Sequence, residues 1–214
     1  QVHMREPFER LVDTGLRLNE LRSTAELHDF LIDEATELSG AERVLLVLES
    51  PEGLQLAGSL MPRDEDAPAL LEAITPALVE VRRTRAASLT HSPEGASELE
   101  QRSRIIAPLI AQRQLLGYLY ADIDGAFGRF RESDRDMMGM LASQAAVALD
   151  NAQWSQGLEQ KVARRTEELL ASNAVIEQRA NELAIINSIQ EGMAAELDFQ
   201  AIIDLVGDKL RDVL

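Results

Sequence analysis

The longest run of regular apolar spacing begins near Ser133. Met137, Met138, Leu141, Ala145, Ala148, Leu149 and Ala152 recur at intervals of three and four, which predicts a helix with one apolar face. Ser133, with Asp136 three positions on, has the form of a capping box and sets the expected start. No proline follows it. Beyond Trp154 the period becomes a strict seven, with Val162, Leu169, Ile176 and Leu183 at one position and Leu158, Arg165, Ser172, Arg179, Ile186 and Met193 at the other. A seven-residue repeat is the mark of a helix paired with another helix. Leu158, Val162, Leu169, Ile176, Leu183 and Ile186 are therefore the expected dimer interface of a parallel coil. Arg165, Ser172 and Arg179 weaken its middle. At 1.5 Å per residue the sixty-odd residues reach on the order of 90 Å, more than a small domain needs to cover itself. The alternative is a solvated linker helix without a partner.

Earlier in the chain, Phe8, Leu11, Val12, Leu16, Leu18 and Leu21 predict a first helix ending near Arg22. Ser23 or Thr24 caps a second, with Leu27, Phe30, Leu31, Ala35 and Leu38 on its apolar face and Gly40 as terminator. The period then switches. Residues 43–49 read as a buried strand, Ser50-Pro51-Glu52-Gly53 as a turn and 54–60 as the hairpin partner. Residues 67–83 are helical in spacing, with Pro76 expected to break or restart the helix. A short strand at 86–90, an exposed loop at 91–101, and strands at 103–111 and 115–123 joined through Gln112-Arg113-Gln114 complete the body. In the last strand Gly117 and Ala121 leave room for a packed helix, so Tyr118 and Tyr120 are expected to point to the other face. The order of elements predicts an α+β sandwich around one antiparallel sheet.

The chain has 214 residues, 45% hydrophobic and 27% charged, enough for one ordinary domain plus an extension. A formal charge of −16 argues against nucleic acid or an anionic membrane as partner. No apolar run approaches a membrane span and no signal-peptide core is present, so the expected location is cytoplasmic. The absence of cysteine fits a reducing compartment and removes thiolate catalysis and cysteine-ligated zinc. The start at Gln1-Val2-His3-Met4 and the stop at Leu214 inside helical spacing predict a piece of a longer protein.

Pro108-Leu109-Ile110, Leu116-Gly117-Tyr118-Leu119-Tyr120-Ala121-Asp122, Phe130 with Asp134, and the block from Leu141 to Ala152 together resemble the C-terminal half of a GAF domain. The resemblance implies a central antiparallel sheet of about six strands with helices on both sides, a small-molecule pocket on one face, and a homodimer through the N-terminal and C-terminal helices. It implies a sensory input to a histidine kinase, nucleotide cyclase, phosphodiesterase or transcription activator. Arg165-Thr166-Glu167-Glu168-Leu169 with Asn173 resembles the coiled linkers of bacterial signalling proteins. Met193, Phe199, Ile202, Ile203 and Leu210 repeat the spacing of Leu21, Leu27, Phe30, Leu31 and Leu38, so residues 197–214, capped at Asp198, read as the first helix of a second, truncated GAF-like domain. Two amphipathic helices sharing a spacing is the alternative. The expected organisation is a GAF-like domain at 5–152, a coiled linker at 153–196 and the truncated domain at 197–214.

Cyclic-nucleotide-binding GAF domains carry an asparagine, lysine, phenylalanine, aspartate and glutamate set. Phe130 and Asp134 match its end, but Arg135 replaces the glutamate, no lysine precedes Lys161 and no asparagine lies between Asn19 and Asn151. The set cannot be assembled. Bilin attachment and the family's free-methionine-sulfoxide reductase activity need cysteines. Of His3, His28 and His91, only His91 falls near the expected pocket, and a lone loop histidine is weak support for haem or metal. No phosphate loop, nucleophile elbow or acid–base carboxylate pair appears. No catalytic role is expected and the cofactor is unknown. Strand faces opposite the small residues nominate Leu46, Ser88, Thr90, Arg104, Tyr118, Tyr120 and Asp122 for an unidentified small polar or aromatic ligand. The two tyrosines read equally well as core with satisfied hydroxyls. The competing function is a ligand-free structural dimerisation module.

Overall fold

In a computed structural model the described residues are 5–21 and 23–213, with the side chains of 5–8 also outside the description. His3, Arg22, Leu214 and the side chain of Phe8, all used above, therefore lie outside the described residues. The elements in order are helix α1 (Arg5–Glu20), helix α2 (Thr24–Ser39), strands β1 (Arg43–Ser50) and β2 (Gly53–Leu60), helix α3 (Ala67–Thr84), strands β3 (Ser88–Ser92), β4 (Arg102–Ala111) and β5 (Gln114–Asp124), and helix α4 (Glu132–Val213). The chain divides into two compact units, 1–156 and 157–214.

Unit 1 is built on one antiparallel sheet in the order β2-β1-β5-β4-β3. Five strands form it, where the family resemblance implied about six. Both faces are covered, which is why β1 and β5 read as nearly continuous apolar runs. Alternation sorts their side chains. Val44, Leu46, Leu119 and Ala121 join α1, α2 and the first turns of α4 in one core. Leu45, Val47, Ile106, Tyr118 and Tyr120 join Ile74, Leu78 and Val81 of α3 in a second. The tyrosines thus face away from the small residues, as the alternation predicted.

Helix ends follow side-chain chemistry. The Ser23 hydroxyl accepts the Glu26 amide at 3.3 Å, and Gly40, in the left-handed region at φ 67°, donates its amide to the Thr36 carbonyl to close α2. The sequence misleads at Pro76, because α3 runs through it without a break. Proline removes one amide, but Pro76 and Glu72, whose carbonyl loses the partner, are both on the exposed side where water replaces the bond. At the start of α4 the residue that caps is Asp134, not Ser133: its carboxylate accepts the Arg131 amide at 2.7 Å. The helix continues through Asp198, so no cap separates 197–214 from the linker before it. Apolar spacing alone does not distinguish a restarted helix from an uninterrupted one.

Gly117 has a reason different from the one its neighbours suggested. A Cβ there would lie 2.1 Å from the Val47 carbonyl oxygen and 2.9 Å from Leu48 Cα, so it admits the β1 backbone, not a helix. Gly117→Ala is expected to destabilise unit 1 by about 1–3 kcal/mol through overpacking against a backbone that cannot yield. Urea unfolding followed by circular dichroism measures it, and an unchanged midpoint would refute the close-approach explanation.

Candidate functional site

Strand register carries a polar row across the α3 face of the sheet. Thr90 stands opposite Arg104, Arg104 opposite Asp122, and Asp122 opposite Arg43, spanning β3, β4, β5 and β1. Ser88 lies two residues before Thr90 on the same face, and its row continues through Ile106 to Tyr120. The structure therefore gathers Ser88, Thr90, Arg104, Tyr118, Tyr120 and Asp122 on one side. It does not bring Leu46 to them, because Leu46 belongs to the core on the opposite face with Leu119 and Ile32. A run of buried residues covered on both faces gives no pattern from which that side could be read.

Asp122 is fully buried and its carboxylate is saturated. Arg43 donates from Nε at 2.9 Å to Oδ1 and from Nη2 at 2.6 Å to Oδ2, Arg102 Nη1 donates at 3.0 Å to Oδ1, and the Tyr120 hydroxyl donates to Oδ2. The two arginines reach outward as well, Arg43 to Glu65 and Arg102 to Glu42, each at 3.0 Å. These partners were not singled out from the sequence. The available signal was a charged residue placed at the mouth of each central strand. A carboxylate with its lone pairs occupied by two cations and a phenol is a structural pin, unsuited to proton transfer or ligand capture.

Tyr118 is similarly engaged, its hydroxyl donating to Glu49 Oε1 at 2.7 Å. The polar groups left on this face are Ser88, Thr90 and the half-buried Arg104, which bonds Thr90 Oγ1 at 3.3 Å and has no carboxylate partner among the described residues. His91 turns to the other face. Its Nδ1 lies 2.8 Å from Ser103 Oγ, and burial, with the Arg129 charge, holds its pKa below the ordinary value. His28 is half-buried on α2 and not free in solvent; its pKa is also lowered by burial. No cluster of metal-ligating side chains occurs among the described residues, and no described helix is long and apolar enough to cross a membrane.

Among the described residues of unit 1, none of the seven nominated residues borders either of two open clefts. One, of about 580 Å³, runs between the end of β4 and the first turns of α4, with Pro108, Ile110, Met140 and Gln144 on its wall. Gln144 Oε1 is buried there without a hydrogen-bond partner among the described residues. The other, of about 610 Å³, lies at the end of α3.

Burial raises the pKa of both tyrosines, the only two in the chain, and the neighbouring carboxylates Glu49 and Asp122 raise it further. Unfolded tyrosine ionises near pH ~10. Below that pH both states hold the proton and the contribution is fully present. Above it the unfolded chain loses protons first, so stability falls as pH rises toward the folded values. Phenolate absorbance is expected to stay absent at pH ~10.5 and to appear together with loss of the helical signal. Ionisation at the ordinary pH with the fold intact would contradict the two hydroxyl bonds.

The model of the GAF domain family matches residues 23–151, most of unit 1. A GAF domain/HD domain protein from Geobacter sulfurreducens aligns with a TM-score of 0.52 at 17% identity, over 64% of this chain and 98% of that one. A methyl-accepting chemotaxis protein gives 0.51 at 16%, over 66% and 97%. The free methionine-R-sulfoxide reductase of Neisseria meningitidis, solved with its substrate, gives 0.51 at 16%, over 68% and 89%. At such identities the likeness is one of fold. The comparison with curated proteins yields no match. The family match spans the strands, caps and buried tyrosines described above, and on it the chain belongs to the GAF domain family.

Proposed function

We propose that the chain is a sensory or regulatory GAF domain of a cytoplasmic multidomain signalling protein, of the histidine kinase or nucleotide cyclase type. Its output passes through a parallel dimeric helix. The observation that carries this reading is the state of unit 2. Leu158, Val162, Leu169, Ile176, Leu183 and Ile186 are all exposed, at 48–63% of their surface, along one heptad position pair of a helix. Apolar side chains in such number on one seam are stable in water only when a second helix covers them. Unit 1 adds exposed Val12 and Leu16 on α1, and Met140, Val147 and Trp154 at seven-residue spacing on α4, which supports a homodimer through N-terminal and C-terminal helices.

The ligand in this proposal is a small polar molecule held at Ser88, Thr90 and Arg104, with the buried Tyr118, Tyr120 and Asp122 as the rigid floor. It acts only by favouring one arrangement of the paired helices over another. The competing reading, a dimerisation module without ligand, draws support from the same floor, since Tyr118, Tyr120 and Asp122 are satisfied internally. No part in either reading requires catalysis by this chain.

Native mass spectrometry against a denatured control separates the two. A stoichiometric small molecule released on denaturation is the expected result, and a bare dimer across a metabolite panel favours the scaffold. For the seam, Leu169→Lys and Ile176→Lys are each expected to weaken dimerisation on the order of 100–1000-fold, since each removes about 2 kcal/mol of burial twice per dimer. Light scattering reads the mass, and an unchanged dimer in both variants would remove the seam from the proposal. Combining Arg165→Leu, Ser172→Leu and Arg179→Leu should tighten pairing by replacing polar groups on it.

A further inference from the structure

In a chain of formal charge −16, one cleft of unit 1 is cationic. The cleft of about 610 Å³ lies where the β1–β2 turn, the end of α3 and the β4–β5 turn meet. Arg82, Arg85 and Arg113 line it, with Gln112 and Gln114 between them. Glu49 is the one carboxylate on its wall, and that group is already engaged by the Tyr118 hydroxyl at 2.7 Å and by Arg82 Nε at 3.9 Å. The carbonyls at the end of α3 contribute about half a negative charge, which three guanidinium groups outweigh.

The backbone gives a second, independent observation. Arg85, Gln112 and Arg113 have φ of 55°, 50° and 68°, and among the described residues they are the only non-glycine positions in the left-handed region. All three border this cleft. Arg85 holds the position that closes α3, and Gln112-Arg113 form a two-residue hairpin turn; both are places where glycine is the unstrained choice. Strain of this kind persists where the side chain has a task. Internal bonding accounts for only part of that task. Arg85 Nη1 donates to the Arg113 carbonyl at 2.7 Å, tying α3 to the hairpin, while the rest of its guanidinium and all of that of Arg113 have no hydrogen bond or ion pair among the described residues.

We propose that this cleft is a binding site for a small phosphate-bearing molecule, its phosphate oxygens held by Arg82, Arg85 and Arg113. A single carboxylate is satisfied by one guanidinium fork, whereas converging forks match the several oxygens of a phosphate or diphosphate. The volume is within the range of small-molecule sites and leaves room for an organic group beyond the phosphate, against Leu115 and Pro51. The site is independent of the ligand position at Ser88, Thr90 and Arg104, none of which borders it.

The test is calorimetric titration of the 214-residue chain with inorganic pyrophosphate, with melting temperature recorded for each variant. The expected result is saturable binding at one site, weakened roughly 10-fold or more by Arg82→Gln and by Arg113→Gly, and left at the parent affinity by Arg17→Gln, which removes the same charge elsewhere. Arg113→Gly relieves a left-handed arginine, so it should also melt above the parent. Absence of saturation, or equal affinity in all three variants, overturns the site. So does a lower melting temperature for Arg113→Gly, which would assign that arginine to holding the turn.

Discussion

A carboxylate buried without access to water must be paired, and Asp122 is paired from three directions. Arg43 on β1, Arg102 on β4 and Tyr120 on its own strand converge on one group at the centre of the sheet. The same guanidinium groups continue to Glu65 and Glu42, so one buried charge fixes the register of three strands and anchors the segment ahead of α3. Removing a single partner from such a cluster typically costs about 3–5 kcal/mol, because the remaining charge stays buried. That cost is a large share of the stability of a small domain. The network thus selects one strand pairing over its one-residue slips, each of which would turn Asp122 into the apolar core on the other face.

This pin also decides how the candidate site is to be read. Tyr118, Tyr120 and Asp122 combine hydroxyls, an aromatic surface and a charge, the chemistry that attracts ligand assignments in a sequence. Register and burial show those groups consumed by one another and by Glu49. The polar groups of this face that are not consumed in this way lie at its β3–β4 side, where Arg104 hydrogen-bonds Thr90.

Period and punctuation made most of unit 1 legible. Ser23 and Gly40 bound α2 because their chemistry is local, and the alternation along β5 placed its tyrosines correctly because its small and large residues separate cleanly. Legibility failed where the deciding partner is distant in the chain. Leu46 sits in a run buried on both faces, so no alternation reveals its side. Arg43 and Arg102 meet Asp122 across separations of 79 and 20 residues, and nothing adjacent to them advertises the contact. Pro76 misled because its effect depends on whether the abandoned carbonyl faces water. Arg85 and Arg113 were invisible for the opposite reason: they occupy left-handed positions where a reader of turns looks for glycine.

Helix α4 carries two different apolar spacings along its length. Its first turns bury Met138, Leu141, Ala142, Ala145, Ala148, Leu149 and Ala152, where small residues let the helix approach the sheet. Beyond Leu158 the apolar positions keep a seven-residue repeat, which on a straight helix of 3.6 residues per turn drifts by about 20° per heptad. Between Trp154, Leu158 and Val162 the apolar interval is four residues twice in succession, a step away from the seven-residue spacing on either side of it. Gly157 stands inside this step, with open space where a Cβ would be. Packing does not call for it, and in a helix it costs about 1 kcal/mol relative to alanine. Gly192 and Gly207 of the same helix have equally open surroundings, so the sequence gives up helix propensity at three places where no packing contact requires it.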